Sequence, residues 1–257
     1  MAALESALRA RRERGGKAFV PYVTGGFPGV DAELLQALAE IGADAIEVGV
    51  PHSDPVMDGG VIQQASSAAL AEGAHPRDVF ATIAEAALAV PVAVMTYVNP
   101  VLRRGVEAFL DDAIGAGVSG MIVPDLPVDE AEAFDDACAA RDIDAVLLAA
   151  PGATEPRLAA IAARARGFVY CVARYGVTGA GGELGTTAEA LVGALRPMTD
   201  LPLLVGVGVG TPRQAADAAA FADGVIVGSA LMAKLVDGDR VGMLDLAGDF
   251  RAALALG

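Results

Sequence analysis

The chain has 257 residues, of which 54% are hydrophobic and 20% are charged, so it can bury a large core and is not intrinsically disordered. Its formal net charge is −15, and so acidic a surface repels nucleic-acid backbones and anionic lipid. Any phosphate group that it binds is therefore expected to be held by local backbone amides rather than by a basic surface.

Residues 1–14 lack the continuous apolar run of a secretory signal. They predict a short amphipathic helix instead. The two cysteines, Cys138 and Cys171, are isolated and indicate reduced core residues rather than a disulfide framework or a metal site. The most apolar stretch, residues 79–95, is interrupted by a glutamate and a proline, and it predicts a helix followed by a strand. We therefore expect a cytoplasmic protein without a membrane span.

Eight short β-rich runs alternate along the chain with Ala- and Leu-rich runs that have helical periodicity. The first such helical run places Leu34, Leu38 and Ile41 on one face, and Asp31 precedes it as an N-cap. The predicted strands are Ala18–Val23, Ala45–Val50, Val92–Tyr97, Gly120–Pro124, Ala145–Ala149, Gly167–Ala173, Leu203–Val207 and Gly224–Val227.

Alternating strands and helices predict an α/β fold with parallel strands and crossover helices. Eight such units in about 250 residues fit a single (β/α)8 TIM barrel with a short N-terminal helix, and no linker divides residues 1–257 into separate domains. A doubly wound open sheet is the second alternative. In a barrel, the active site lies at the carboxyl ends of the strands, so the residues that end each strand are the candidates for function.

The second predicted strand contains a carboxylate that should face the barrel interior. Side chains alternate along a strand, so Glu47 shares one face with Ala45 and Gly49, while bulky β-branched residues occupy the other face. A buried carboxylate is costly unless it is paired or functional. Glu47 is therefore either a partner in a structural ion pair or a general acid and base with a raised pKa.

The loop that follows this strand supplies a second carboxylate. Asp54 precedes a proline and Asp58 precedes two glycines, so each by itself suits a turn. One loop away from Glu47, however, Asp58 could form the pair of carboxylates in different environments that acid–base enzymes use. His52 lies in the same loop and is expected to be a surface residue rather than a catalyst.

Two glycine-rich segments, residues 206–210 and 228–230, follow the seventh and eighth predicted strands. Barrel enzymes commonly bind a phosphate group at this position through backbone amides and a helix N-terminus, and glycine permits the close approach. A dinucleotide-binding turn would instead follow the first strand, so that interpretation is disfavoured. Residues 174–187, also rich in glycine, predict either a mobile lid or a loose connection.

The residues that are scarce exclude other chemistry. Lys17 precedes the first strand and Lys234 lies in the helix after the eighth strand, so neither ends a strand and a Schiff-base aldolase is disfavoured. His52 and His75 are the only histidines and cannot build a three-histidine metal site. Proton transfer by carboxylates, combined with a phosphate-binding site, remains.

Several motifs together resemble the tryptophan synthase alpha chain family. They occur in the family's order and spacing, and the resemblance extends from about Lys17 to about Leu235. The motifs lie at residues 19–26, 46–59, 97–100, 124–127, 176–179 and 228–230.

The resemblance implies a (β/α)8 barrel that splits indole-3-glycerol phosphate into indole and glyceraldehyde 3-phosphate by a retro-aldol reaction. It implies that this chain itself holds no metal and no cofactor. It also implies a partner, a beta chain that carries pyridoxal phosphate, receives the indole through a tunnel and makes L-tryptophan in an α2β2 hetero-tetramer.

The resemblance also implies residue roles. Glu47 would protonate carbon C3 of the indole and then accept the proton of the glycerol hydroxyl, while Asp58 would accept a hydrogen bond from the indole N–H. Thr178 would meet Asp58 when the lid closes. The implied substrate-binding residues are Tyr22, Met95, Ile122, Tyr170 and Thr178. The implied phosphate-binding residues are Gly179, Gly208, Gly228 and Ser229. The implied partner interface contains Pro51, Asp54, Asn99, Pro100 and Asp125.

The chain departs from the family pattern at three positions near the expected lid and partner face. The family often has Phe or Tyr at His52, Pro at Gly60, and a small residue or Thr at Tyr175. These departures bear on loop closure and partner contact, and they do not touch the two carboxylates. Two alternatives stay open: an isomerase or epimerase of phosphorylated sugars, and a subunit whose main task is to activate its partner.

Overall fold

The structure is a computed structural model that describes residues 3–173 and 184–255. Within these residues, eight parallel strands follow one another in chain order, and the eighth pairs with the first to close a barrel. The predicted α/β (β/α)8 fold is thus confirmed, and the open-sheet alternative is wrong. The strands are β1 (Ala18–Thr24), β2 (Ile46–Gly49), β3 (Val92–Met95), β4 (Val118–Ile122), β5 (Asp144–Ala149), β6 (Val169–Val172), β7 (Leu203–Gly206) and β8 (Gly224–Val227).

Helices cover the outside of the barrel and close one of its ends. None of the helices in residues 3–173 and 184–255 has both the length and the apolar character needed to cross a bilayer. Those described are α1 (Ala3–Glu13), α2 (Ala32–Ile41), α3 (Gly60–Ala71), α4 (Pro76–Ala86), α5 (Val98–Arg104), α6 (Val106–Gly115), α7 (Glu132–Ala139), α8 (Glu155–Arg164), α9 (Leu184–Leu195), α10 (Pro212–Ala219), α11 (Ser229–Val236) and α12 (Arg240–Ala253).

All eight predicted strands are confirmed, but some bounds differ. The predicted third strand extends two residues past the end of β3, and the predicted sixth strand begins two residues before β6. The predicted bounds of β4 lie two residues too late. Gly117 adopts a positive φ of 86°, which turns the chain sharply and lets the strand begin at Val118. The strand ends at Ile122, and Pro124 has no N–H with which to extend the ladder. The first predicted helix is confirmed as α2. Its predicted N-cap is also confirmed, because Asp31 accepts a hydrogen bond from the backbone N–H of Leu34 at 2.8 Å.

The barrel interior is filled by side chains from alternate strand positions. This interior is a distinct apolar cluster, separate from the larger one between strands and helices, as the fold requires. Its members on the strands, just before β2 and just before β6 are Ala18, Val20, Ala45, Ala93, Ile122, Val146, Phe168, Tyr170, Leu204 and Ile226.

The N-terminal helix α1 closes the amino end of the barrel. Leu4 and Leu8 belong to the interior cluster and are fully buried. Glycines make room for them, since a Cβ atom added at Gly167 would lie 3.2 Å from a methyl carbon of Leu4. The carboxylate of Asp144, at the start of β5, accepts the N–H of Glu5 at 2.9 Å and fixes the first turn of α1.

Two further carboxylates stabilise the amino end. Asp44 accepts the N–H of Phe19 at 2.9 Å and forms an ion pair with Arg251 at 3.0 Å. Asp223 accepts the N–H of Leu203 at 2.8 Å in the same way. These carboxylates satisfy backbone donors where strands begin, so this end of the barrel serves stability.

Candidate active site

Strand β2 directs Glu47 into the barrel. Glu47 pairs in register with Tyr22 on β1 and with Ala93 on β3, and it is only 1% exposed. Its Oε2 atom has no hydrogen-bond partner among the described residues. Burial raises the pKa of Glu47 to about 8, and the charge of Asp58 adds to the rise.

None of the ion pairs formed by the described residues includes Glu47. A structural ion pair would have placed a cation next to the carboxylate and lowered its pKa. A buried carboxylate without a cationic partner holds its proton near neutral pH and is able to donate it. The geometry therefore favours the acid–base interpretation of Glu47.

Asp58 lies in the loop between β2 and α3 and is held by a tyrosine that follows β3. The Oη of Tyr97 donates a hydrogen bond to Asp58 Oδ2 at 3.0 Å, and the amide of Gln63 donates to the Asp58 carbonyl at 2.9 Å. Burial raises the pKa of Asp58 to about 6, although the hydrogen bond from Tyr97 opposes this rise. At neutral pH, Asp58 is thus ionised while Glu47 is protonated.

Tyr97 has a functional position that the sequence analysis did not assign. Its Oη accepts the backbone N–H of Met57 at 3.0 Å while donating to Asp58, so one phenol fixes two points of the loop. The ring of His52 stacks on that of Tyr97 with centroids 4.6 Å apart, so His52 is a packed loop residue rather than a free surface residue. The available signal was position, because Tyr97 follows β3 at the carboxyl end of the barrel.

Two buried tyrosines flank Glu47 inside the barrel. Gly49 leaves the space that the Tyr22 hydroxyl occupies, and a Cβ atom at Gly206 would lie 2.5 Å from the Tyr170 hydroxyl. The Tyr22 hydroxyl is also 3.3 Å from Thr24 Oγ1. Burial raises the pKa of both phenols well above its usual range, and the charges of nearby carboxylates add to this. Both phenols remain protonated and can donate hydrogen bonds.

An apolar wall completes this part of the interior. Met95 on β3 pairs in register with Ile122 on β4, and both pack with the interior cluster. Ile122 is fully buried and Met95 is half-buried. An apolar surface near two phenols suits an aromatic ring better than a sugar, which requires many hydrogen-bond donors and acceptors.

The candidate phosphate residues lie at the ends of two neighbouring strands. Gly208 follows β7 and Gly228 follows β8, and these strands pair with each other. Gly208 has a φ of 113°, which favours glycine, and Gly228 is the N-cap of α11, whose first residue is the exposed Ser229. A Cβ atom at Gly228 would lie 3.2 Å from the ring of Tyr22. A substitution there would therefore displace the ring of Tyr22 as well as disturb any phosphate site.

Two of the expected site residues, Thr178 and Gly179, lie outside the described residues, as does Tyr175. Their contact with Asp58 and with a phosphate group therefore stays a prediction.

The expected partner residues differ in exposure. Asp54 and Asn99 are exposed and Pro100 is half-buried, whereas Pro51 is buried. Asp125 is half-buried and accepts the N–H of the residue that begins α5 at 2.9 Å, so its carboxylate already has a structural partner. Exposed apolar side chains in the same two segments are Val56, Met57 and Leu102.

Comparison with known proteins agrees over nearly the whole chain. A sequence profile of the family described as tryptophan synthase alpha chain matches residues 8–245. The chain is 44% identical over 243 residues to the tryptophan synthase alpha chain of Synechocystis sp., which covers 93% of this chain and 92% of that one. It is 45% identical over 226 residues to the tryptophan synthase alpha chain of Carboxydothermus hydrogenoformans, covering 86% and 85% of the two chains.

Solved structures give the same result. The fold is similar to a structure of Mycobacterium tuberculosis tryptophan synthase, with a TM-score of 0.91 and 42% identity, covering 100% of this chain and 99% of that chain. It is also similar to tryptophan synthase subunit alpha from Legionella pneumophila, with a TM-score of 0.88 and 30% identity over 100% of both chains.

Proposed function

The chain belongs to the tryptophan synthase alpha chain family, and from that membership we propose how its residues perform the family's reaction. It is a carbon–carbon lyase of tryptophan biosynthesis that splits indole-3-glycerol phosphate into indole and glyceraldehyde 3-phosphate. The observation that carries the assignment of roles is the pair of carboxylates at the carboxyl end of β2. Glu47 is buried and has no cationic partner among residues 3–173 and 184–255, and Asp58 is held by Tyr97.

The reaction begins with a proton transfer to the substrate. Protonated Glu47 donates its proton to carbon C3 of the indole ring, and the ring then carries a positive charge that is shared with its nitrogen. The Asp58 carboxylate accepts the hydrogen bond from the indole N–H and stabilises this charge as it develops. The difference between the two pKa values, about 8 and about 6, keeps each group in the required form near pH 7.

Bond cleavage then restores the aromatic ring. The bond between C3 and the first glycerol carbon breaks, and its electron pair returns to the ring. The hydroxyl on that glycerol carbon gives its proton to the Glu47 carboxylate and becomes the aldehyde oxygen of glyceraldehyde 3-phosphate. Glu47 ends the cycle protonated, so it acts once as an acid and once as a base.

The remaining residues bind and orient the substrate. Met95 and Ile122 form the wall against which the indole lies, with Tyr22 and Tyr170 on either side of Glu47. Backbone amides at Gly179, Gly208, Gly228 and Ser229 hold the phosphate group, supported by the N-terminus of α11. Thr178 contacts Asp58 when the loop after β6 closes.

The family implies a beta-chain partner. We place its docking face on the two segments that contain Asp54, Asn99 and Pro100, where exposed Met57 and Leu102 supply apolar area. The less exposed Pro51 and Asp125 complete this docking face. The complex is an α2β2 hetero-tetramer in the cytoplasm.

Pyridoxal phosphate belongs to the beta chain, and this chain needs no cofactor of its own. A pyridoxal-phosphate site requires a lysine that forms a Schiff base. Lys17 is bound to the carbonyl of Ala222 at the amino end of the barrel, and Lys234 pairs with Asp239. Neither lysine reaches the carboxylate pair.

The test is indole release from indole-3-glycerol phosphate by wild type and by Glu47→Gln, each alone and with a tryptophan synthase beta chain. The variant keeps the shape of the side chain but cannot transfer a proton, so kcat should fall by about 100- to 10,000-fold while substrate still binds. Glu40→Gln, an exposed position on α2, is the matched control and should be fully active. Full turnover by Glu47→Gln would assign the acid to another residue, and no release by wild type under either condition would overturn the function.

A further inference from the structure

The side chain of Gln214 occupies two of the backbone amides in the connection between β7 and α10. Gln214 Oε1 accepts the N–H groups of Gly210 at 2.8 Å and Thr211 at 3.1 Å. The backbone N–H of Gln214 in turn donates to Thr211 Oγ1 at 3.2 Å. The Thr211–Gln214 pair is a capping box, but the bond to Gly210 goes beyond that motif and holds the loop one residue further back.

The backbone amides just before Gly210 have no such acceptor among the described residues. The N–H groups of Val207, Gly208 and Val209 donate to no other described residue. Within the described part of the chain, the segment from 207 to 211 therefore divides into three consecutive amides without an acceptor and two amides that are already satisfied. Consecutive free amides are what an anionic oxygen needs, whereas amides bonded to Gln214 cannot also bind it.

Residues 207–209 include an unfavourable backbone conformation, so contacts on both sides of this segment must stabilise it. Val207 has a φ of 59°, in the left-handed region that β-branched residues rarely adopt, and Gly208 has a φ of 113°. At the front, the Gly206 carbonyl is fixed by the N–H of Ala173 at 2.9 Å. At the back, Gln214 provides the anchor.

We propose that Gln214 is a positioning residue for the substrate phosphate. By occupying the amides of Gly210 and Thr211, it holds residues 207–209 in the conformation that offers their free amides to the phosphate group. This inference rests on the proposed function, in which Gly208 belongs to the phosphate site. Gln214 itself does not touch the substrate.

The test replaces Gln214 by Met, which keeps the length of the side chain and removes the acceptor oxygen. KM for indole-3-glycerol phosphate should rise about tenfold, with kcat changed less than about twofold, because the carboxylate pair is untouched. For indole-glycerol, the same substrate without its phosphate, kcat/KM should be unchanged. The affinity for inorganic phosphate, measured by calorimetry, should fall by the same factor as KM rises.

Thr211→Ala is the matched control. It removes the N-cap oxygen of α10, yet the bonds from Gly210 and Thr211 to Gln214 Oε1 involve backbone N–H groups and survive. The variant should lose thermal stability like Gln214→Met while keeping the wild-type KM. Gln214→Ala repeats the test if the Met variant does not fold.

The outcomes separate this inference from the function on which it rests. An unchanged KM in Gln214→Met, or an equal loss with the substrate that lacks phosphate, would overturn the positioning role while leaving the lyase intact. Wild type that cleaves neither substrate would overturn the function itself.

Discussion

Tyr97 links two residues of the loop between β2 and α3 through one oxygen atom. It accepts a hydrogen bond from the N–H of Met57 and donates one to the Asp58 carboxylate, each at 3.0 Å. Its donation stabilises the ionised form of Asp58 and opposes the rise in pKa that burial causes.

Wild type should show a bell-shaped pH dependence of kcat/KM, limited near pH 6 by Asp58 and near pH 8 by Glu47.

Tyr97→Phe removes the hydrogen bond and keeps the ring. The pKa of Asp58 should rise above about 6, so the acidic limb of the kcat/KM profile for indole release should move to higher pH. Activity at pH 6.5 should fall more than activity at pH 7.5. His52→Phe keeps the stacked ring and serves as the control, with an unmoved limb. A Tyr97→Phe profile identical to wild type would show that the hydrogen bond does not tune Asp58.

At the scale of elements, helix α1 is part of the barrel core. Leu4 and Leu8 fill the amino end of the interior, and Asp144 accepts the N–H of Glu5. Arg12 binds the carbonyl of Asp200 at 2.8 Å, which fastens the same helix to the segment before β7. Stability and catalysis are therefore placed at opposite ends of the barrel.

Leu8→Ala should destabilise the protein by about 2–5 kcal/mol, because it leaves a cavity where a fully buried side chain was. The free energy of unfolding, measured by urea denaturation, checks this. Ser6→Ala, on the exposed face of the same helix, should change it by less than about 0.5 kcal/mol. At temperatures where Leu8→Ala is folded, kcat should match wild type, and a large loss of kcat would contradict the separation of the two ends.

At the scale of the whole molecule, the site lowers stability at higher pH. Glu47 has a folded pKa near 8 against its ordinary 4.5, so the folded protein holds a proton that the unfolded chain loses. Its contribution is fully present below pH 4.5 and is lost as pH rises towards 8. Asp58 and Asp144, with pKa values raised to about 6 by burial, act in the same direction over pH 4 to 6.

Glu47→Gln should therefore gain stability relative to wild type as pH rises. The difference in the free energy of unfolding should grow by at least about 1 kcal/mol between pH 5 and pH 8, since one pKa unit is worth about 1.4 kcal/mol. Urea denaturation at the two pH values measures it, with Glu40→Gln as the control. A difference that does not depend on pH would mean that Glu47 is not held protonated in the folded protein.

The order of the elements and the inward direction of Glu47 follow from local patterns in the chain. Alternation within each short run is a local property, so it placed Glu47 and Ala45 on the interior face of β2 without knowledge of the neighbouring strands. The order of strands and helices then determined the barrel, and the barrel rule pointed to loop 51–60 and to the segments after β7 and β8. The family motifs added the roles that chemistry alone left open.

The partners of these residues, in contrast, depend on the packing of distant segments. Tyr97 lies 39 residues beyond Asp58, and Asp144 lies 139 residues beyond Glu5, so no local pattern links them. The amphipathic pattern of α1 predicted an apolar face but not that the face would close the barrel. Gln214 belongs to a capping box at the start of α10, and its additional bond to Gly210 follows only from the folded loop. Periodicity encodes which face a side chain takes, whereas its partner depends on how distant segments pack.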